Sequence, residues 1–111
     1  LIEGMHAADF RHGPLEIVSK GVTVLILAGS AQTSALNRGL AKEIISYGGR
    51  VVWLDSSPDL ELPTCLFPKS GDLTRPLAEI LPLQMLTLAM ANRKGMQAGQ
   101  FRYLKKITLR E

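Results

Sequence analysis

The sequence predicts one α/β domain, in which helices cover both faces of a parallel sheet to give three layers. Short β-branched apolar segments alternate with segments of helical periodicity along the 111 residues. A strand, a helix and a second strand follow each other in that order, which predicts a right-handed parallel crossover. The length leaves room for a single compact domain.

Three segments have the composition of strands. The segment 22–28 is a continuous apolar run, VTVLILA, which predicts a strand covered on both faces. The segment 50–55 is the second strand, and the segment 65–67, cut short by Pro63 and Pro68, is a weaker third. Because a parallel sheet of three strands is small, we expect at least one more strand and a covering helix in another part of the polypeptide.

Two segments have helical periodicity. The first covers residues 33–47 and ends at the pair Gly48 and Gly49. The second covers residues 73–94, with Pro76 in its first turn and Pro82 at a position where we expect a kink or a restart, because proline lacks an amide donor. The part from 83 to 92 is apolar on nearly all sides, which predicts deep burial.

Composition and charge narrow the classes of protein. The single cysteine, Cys65, excludes an internal disulfide and favours a reducing compartment, so we expect a cytoplasmic protein. The chain opens at Leu1 without a signal sequence or a membrane-spanning run, and we expect it to come from the interior of a longer polypeptide. The net charge of +3 comes from a basic C-terminal end. Such an end can bind phosphate in any form, or it can be an ordinary solvated surface.

The tripeptide His12-Gly13-Pro14 is the first candidate for chemistry. Proline excludes helical backbone at the residue before it, so the histidine is predicted to lie at the junction of two elements. Histidine titrates near neutral pH and is the commonest proton shuttle. For the tripeptide taken alone, a turn histidine that bonds only backbone is the favoured interpretation.

The loop from Gly29 to Thr33 is a second candidate. It follows the first strand and precedes a helix, where backbone amides and hydroxyls can hold a phosphate. The same loop fits plain turn and N-cap chemistry equally well.

The C-terminal segment 100–108 interleaves basic and aromatic residues. This pattern fits an RNA-contacting tail, and it also fits an extended arm whose lysine reaches a sugar site as a point charge or a Schiff-base amine. His6 and His12 are the only histidines, and together with Asp9 they do not have the spacing of a metal site. No metal is expected.

Three of these segments together resemble sugar isomerase (SIS) domains. The segment 9–16, DFRHGPLE, resembles the Glu-Phe-x-His-Gly-Pro segment of that family. The segment 80–86, ILPLQML, is similar to its late helix, and the segment 100–106, QFRYLKK, resembles the terminal arm of its glutamine–fructose-6-phosphate aminotransferase branch. The resemblance covers the whole chain, 1–111 with the arm 96–111, and implies the flavodoxin/Rossmann-like parallel sheet of the SIS fold, of which this chain would form the C-terminal part.

The resemblance also implies roles for individual residues. His12 falls on the histidine associated with sugar-ring opening, which in the family reaches the active site of the neighbouring subunit. Lys106 falls on the catalytic lysine of the terminal arm, and Gly13 and Lys105 fall on positions that border the substrate. The family's general base, a glutamate, would lie upstream of Leu1, so we expect the chain alone to be inactive.

The implied function is that of an amino-sugar-phosphate enzyme. It would act on fructose 6-phosphate or glucosamine 6-phosphate by ring opening and proton transfer between C1 and C2, without a cofactor. Phe101 in place of the family's proline and the extra charge of Lys105 leave two alternatives open, a glucosamine-6-phosphate deaminase of the SIS type and a sugar-phosphate-binding regulator. The expected partners are a hexose 6-phosphate and either a second copy or the rest of the polypeptide, with no nucleic acid and no membrane.

Overall fold

The computed structural model describes residues 3–100. A short helix α1 (Ala7–Phe10) and a 3-10 turn (Pro14–Ile17) lead into strand β1 (Thr23–Leu27) and helix α2 (Ala31–Ser46). Strands β2 (Arg50–Asp55) and β3 (Thr64–Leu66) follow, and helix α3 (Arg75–Arg93) is the last element. The three predicted strands and two long helices are therefore all present.

The sheet is parallel and has the order β1-β2-β3. Val24 pairs with Val51 and Ile26 with Trp53, while Leu54 pairs with Cys65 on the other side of β2. The apolar, β-branched composition of β2 fits its central place, because a central parallel strand is covered on both faces.

One face of the sheet packs against α2. Side chains alternate between the faces of a strand, so Val51 and Trp53 point to one face, where they join Leu40 and Ile44 of α2 in one buried cluster. Trp53 retains only 1% exposure. This cluster is the main hydrophobic core.

The opposite face packs against α3. Leu54 lies on this face, in a second cluster with Phe67 and Ala78, and the partly buried side chains of Val52 and Leu83 pack against this cluster. Helices on both faces of a parallel sheet give three layers, which confirms the predicted fold class.

Two predictions about burial are wrong for residues 3–100. Leu25 and Leu27 on β1 are each 37% exposed, although the apolar run predicts cover on both faces. On α3, Met85 is 70% and Leu88 is 48% exposed, although the apolar pattern predicts burial. The reason is the narrow contact of α3 with the sheet. Only Ala78 and Leu83 of this helix join the cluster around Leu54, so the helix covers neither that face of the edge strand β1 nor its own outward sides.

Pro82 does not restart the helix. It lies inside α3, which runs as one α-helix from Arg75 to Arg93. Pro76 lies in the first turn, as predicted, where the missing amide donor costs no intrahelical bond.

Candidate functional site

The His12 corner is built by two short turns. Helix α1 ends at Phe10, and the backbone N–H of His12 donates to the carbonyl of Asp9 at 3.0 Å. Gly13 then adopts φ +153° and ψ −61°, a backbone conformation that L-residues with a side chain rarely adopt. Pro14 begins the 3-10 turn, so His12 lies at the junction of two elements, as the tripeptide predicts.

Both sides of this corner are fixed to the core. Phe10 before the histidine and Leu15 after it pack against the main cluster. The guanidinium of Arg11 forms an ion pair with the carboxylate of Glu43 on α2. The His12 side chain itself is exposed. A rigid backbone thus presents an imidazole to solvent on the α2 side of the sheet.

The other predicted site residues of the arm, Lys105 and Lys106, lie outside the described residues. The described chain ends at Gln100, and the two residues before it, Ala98 and Gly99, lie against α3. The arm therefore starts on the α3 side, whereas His12 lies on the α2 side. Within residues 3–100 of one chain, the structure does not bring the histidine and the start of the arm to one site.

The Gly29 loop is closed by its own side chains. A Cβ atom at Gly29 would lie 2.4 Å from Oγ1 of Thr33 and 3.0 Å from Nδ2 of Asn37. The Asn37 amide donates to the carbonyls of Leu27 and Ala28 at 3.2 and 3.1 Å. The hydroxyls of Ser30 and Thr33 lie 3.4 Å apart and pair with each other, and the Asn37 amide is held by the turn, which supports the structural interpretation of this loop.

Sequence reasoning missed a charged cluster at the carboxyl end of β2. Arg75 donates from Nε to Oε1 of Glu79 at 2.6 Å, and its Nη2 lies 3.7 Å from Oδ1 of Asp55. Its guanidinium also lies over the ring of Phe67, 5.9 Å from the centroid. The i,i+4 spacing of Arg75 and Glu79 is a local signal for their pairing. The contact with Asp55 has no such signal, because it joins different elements.

A second missed pair joins α2 to the β2–β3 connection. The guanidinium of Arg38 pairs with the carboxylate of Asp59 and lies 5.4 Å from the ring centroid of Trp53. Asp59 also accepts hydrogen bonds from the backbone N–H groups of Glu61 and Leu62 at 2.8 and 3.0 Å. The Arg38 hydrogen bond, followed by these backbone donors, lowers the pKa of Asp59 to about 2.

The described residues carry neither a membrane span nor a grouped set of metal ligands. No helix within residues 3–100 has both the length and the apolar character that crossing a bilayer requires. Over the same range, no three His, Cys, Asp or Glu side chains lie together in a way that could hold a metal ion.

Curated relatives of the chain share one name. The chain is 28% identical over 109 residues to glutamine–fructose-6-phosphate aminotransferase [isomerizing] of Chlorobaculum tepidum, and 30% identical over 108 residues to that of Encephalitozoon cuniculi. Each match covers 94% of the chain but only 18% and 16% of the relative, so the chain spans about a fifth of their length. A protein of that name from Sphingobium yanoikuyae is 28% identical, and the match covers 70% of it.

A solved structure shares the fold. The C-terminal domain of glucosamine-fructose-6-phosphate aminotransferase from Francisella tularensis superimposes with a TM-score of 0.72, over 84% of this chain and 28% of that chain, at 20% identity. No family model matches the chain. The chain therefore resembles the C-terminal, sugar isomerase part of glutamine–fructose-6-phosphate aminotransferases over nearly its whole length, which confirms the resemblance that the three sequence segments predict.

Proposed function

We propose that this chain supplies part of the active site of an enzyme that opens the ring of fructose 6-phosphate or glucosamine 6-phosphate and moves a proton between C1 and C2. The observation that carries the proposal is the His12 corner within a chain that matches aminotransferases over 94% of its length. The corner holds an exposed imidazole on a backbone that only glycine adopts easily, at the segment where the resemblance expects the ring-opening histidine.

The chemistry that these residues can perform is acid–base transfer and charge stabilisation. The imidazole of His12 can accept the proton of the anomeric hydroxyl and return a proton to the ring oxygen as the ring C–O bond breaks. Lys106 would stabilise the charge that develops on the open-chain carbonyl oxygen during enolisation. A glutamate upstream of this chain would move the proton between C1 and C2, so the reaction needs no cofactor.

We further propose that His12 and Lys106 of one site come from two copies of the chain. His12 lies beside α2, and the arm leaves beside α3, with the sheet between these helices. A side chain cannot cross a packed sheet, whereas a second copy related by a two-fold axis can present its own His12 to the arm of the first. This arrangement supports a homodimer with two composite sites.

Mixing two inactive variants tests this arrangement. In the protein that includes the upstream base, His12→Ala and Lys106→Ala variants are each expected to lose turnover. Subunits exchanged at random between them should restore about a quarter of the wild-type rate, because half of the dimers are mixed and each mixed dimer keeps one intact site. The rate is measured as conversion of fructose 6-phosphate to glucose 6-phosphate, which requires ring opening and proton transfer between C1 and C2 but no nitrogen donor.

Two results would contradict the proposal. Mixed dimers without restored activity would show that both residues act within one chain. Full activity of the Lys106→Ala variant alone would show that Lys106 of the arm takes no part in the reaction. The matched control is Lys69→Ala, which removes an exposed lysine of the β3–α3 connection and should leave turnover unchanged.

A further inference from the structure

The guanidinium of Arg11 lies across one turn of α2. Its Nη1 forms the ion pair with Oε2 of Glu43, and its Nη2 lies 3.7 Å from the position that a Cβ atom on Gly39 would take. Gly39 and Glu43 are four residues apart and are therefore neighbours on one side of the helix. Because Gly39 has no side chain, the guanidinium has room to lie over the helix surface and reach the carboxylate.

This ion pair is a directional link between the His12 corner and the rest of the fold. Phe10 and Leu15, on either side of the corner, pack against the main cluster by apolar contacts, which have no preferred direction. A charge-assisted hydrogen bond does have a preferred direction. Among the ion pairs within residues 3–100, only this one includes a residue of the segment 7–17.

Helix α1 depends on such contacts with other elements. It has four residues, which form a single turn, and a helix this short is not stable on its own. The backbone N–H of Arg11 donates to the carbonyl of Ala8 at 3.1 Å, so the residue that forms the ion pair also closes this turn. Because His12 follows Arg11 directly, a rotation of the Arg11 backbone moves the imidazole.

We propose that the Arg11–Glu43 ion pair positions His12, by fixing the backbone from which the imidazole is presented to the substrate. Arg11 is then a positioning residue, because its guanidinium is directed at α2. The effect on catalysis rests on the proposed function, whereas the ordering of the corner does not. The two side chains are 39% and 40% exposed, and pairs this exposed change an equilibrium by up to about fivefold, which sets the size of the expected effects.

Amide hydrogen exchange in the 111-residue chain tests the ordering without an enzyme assay. Arg11→Met removes the charge and should accelerate exchange of the His12 N–H, which donates to the carbonyl of Asp9, by about three- to fivefold. The Trp53 N–H, which donates to the carbonyl of Pro63 at 2.8 Å, should keep its rate. Equal acceleration of both amides would show that the pair stabilises the whole fold. Equal acceleration, or an unchanged rate at His12, would overturn the proposal.

Lys42→Met is the matched control. Lys42 lies on the same helix and pairs with Glu61 at 3.2 Å, and these two side chains are 61% and 62% exposed. The variant removes a pair of the same kind from α2 without touching the corner, so exchange at His12 should not change. An acceleration as large as that in Arg11→Met would attribute the effect to the lost charge and not to the contact with Glu43, which would contradict the proposal.

Kinetics of the protein that includes the upstream base separate positioning from substrate binding. Arg11→Met should lower kcat by about three- to fivefold and leave KM within about twofold, because the imidazole is held less often in its productive orientation. The charge swap Arg11→Glu with Glu43→Arg forms the pair again with reversed sign and should restore kcat. A raised KM that the swap does not restore would make Arg11 a substrate-binding cation and overturn the positioning role.

The His12→Ala variant distinguishes a failure of this inference from a failure of the proposed function. If Arg11→Met keeps the wild-type kcat while His12→Ala loses turnover, the proposed function stands and the positioning role is refuted. If His12→Ala keeps turnover, the proposed function fails and the catalytic part of this inference fails with it. The exchange rates then still decide whether the ion pair orders the corner.

Discussion

Asp59 shows how one side chain fixes a connection between two elements. It lies between β2 and β3, pairs with Arg38 of α2, and accepts backbone donors from its own loop. Lys42 and Glu61 form a second, exposed pair beside it. The parallel neighbours β2 and β3 are joined without a helix, so this carboxylate organises a loop that has no regular hydrogen bonding of its own.

The charge of Asp59 is expected to make stability depend on pH in the acid range. Its pKa of about 2 in the folded chain lies below the ordinary value near 3.9, so the carboxylate stabilises the fold above pH 4. This contribution is lost as pH falls from about 4 to 2. Urea unfolding followed by Trp53 fluorescence between pH 5 and 2 measures it.

An Asp59→Asn variant should lack this part of the pH dependence. Asp72→Asn, at an exposed position outside the ion pairs of the described residues, is the control and should keep it. Equal pH dependence of the two variants would show that the Arg38 pair does not govern acid stability.

At the scale of elements, the start of α2 depends on the space above Gly29. A methyl group there would overlap Oγ1 of Thr33, so Gly29→Ala should lower the free energy of unfolding by about 1–3 kcal/mol. Gly71→Ala is the matched control, since nothing lies within 4 Å of its added Cβ. Urea denaturation compares the two, and a loss of similar size in both would contradict the steric argument.

Local pattern predicts the elements of this chain well. The second strand has the predicted limits, 50–55, because a glycine pair before the apolar run and a serine pair after it mark both ends of the strand. The His12 corner was predictable for the same reason, since glycine and proline dictate backbone within two residues. The resemblance likewise follows from short segments, and the relatives confirm it.

Burial and tertiary pairing were not predictable from the same patterns. The apolar residues of α3 predict burial, but they do not indicate that most of them stay exposed within residues 3–100. The Arg75 contact with Asp55 joins residues twenty positions apart through the geometry of the sheet. The separation of His12 from the start of the arm arises in the same way. The alternation of side chains along the strands and the positions of α2 and α3 decide on which side of the sheet His12 and the start of the arm lie.

At the scale of the whole molecule, the proposed function makes the chain one part of a larger catalytic assembly. Under that proposal the pure 111-residue chain is expected to show no isomerase turnover on fructose 6-phosphate, because the general base would be a glutamate outside these residues. Addition of the upstream part of the polypeptide as a separate chain should restore turnover. Measurable turnover by the pure chain, above that of its His12→Ala variant, would contradict this expectation.

The narrow contact between α3 and the sheet has a consequence for how this end of the molecule becomes ordered. Ala78 is the one buried residue of this 19-residue helix, and Met85 in its second half is 70% exposed. Helical turns with few tertiary contacts are held mainly by their local propensity, which is marginal for so short a stretch. Burial of these apolar side chains against another surface would therefore order the second half of the helix at the same time.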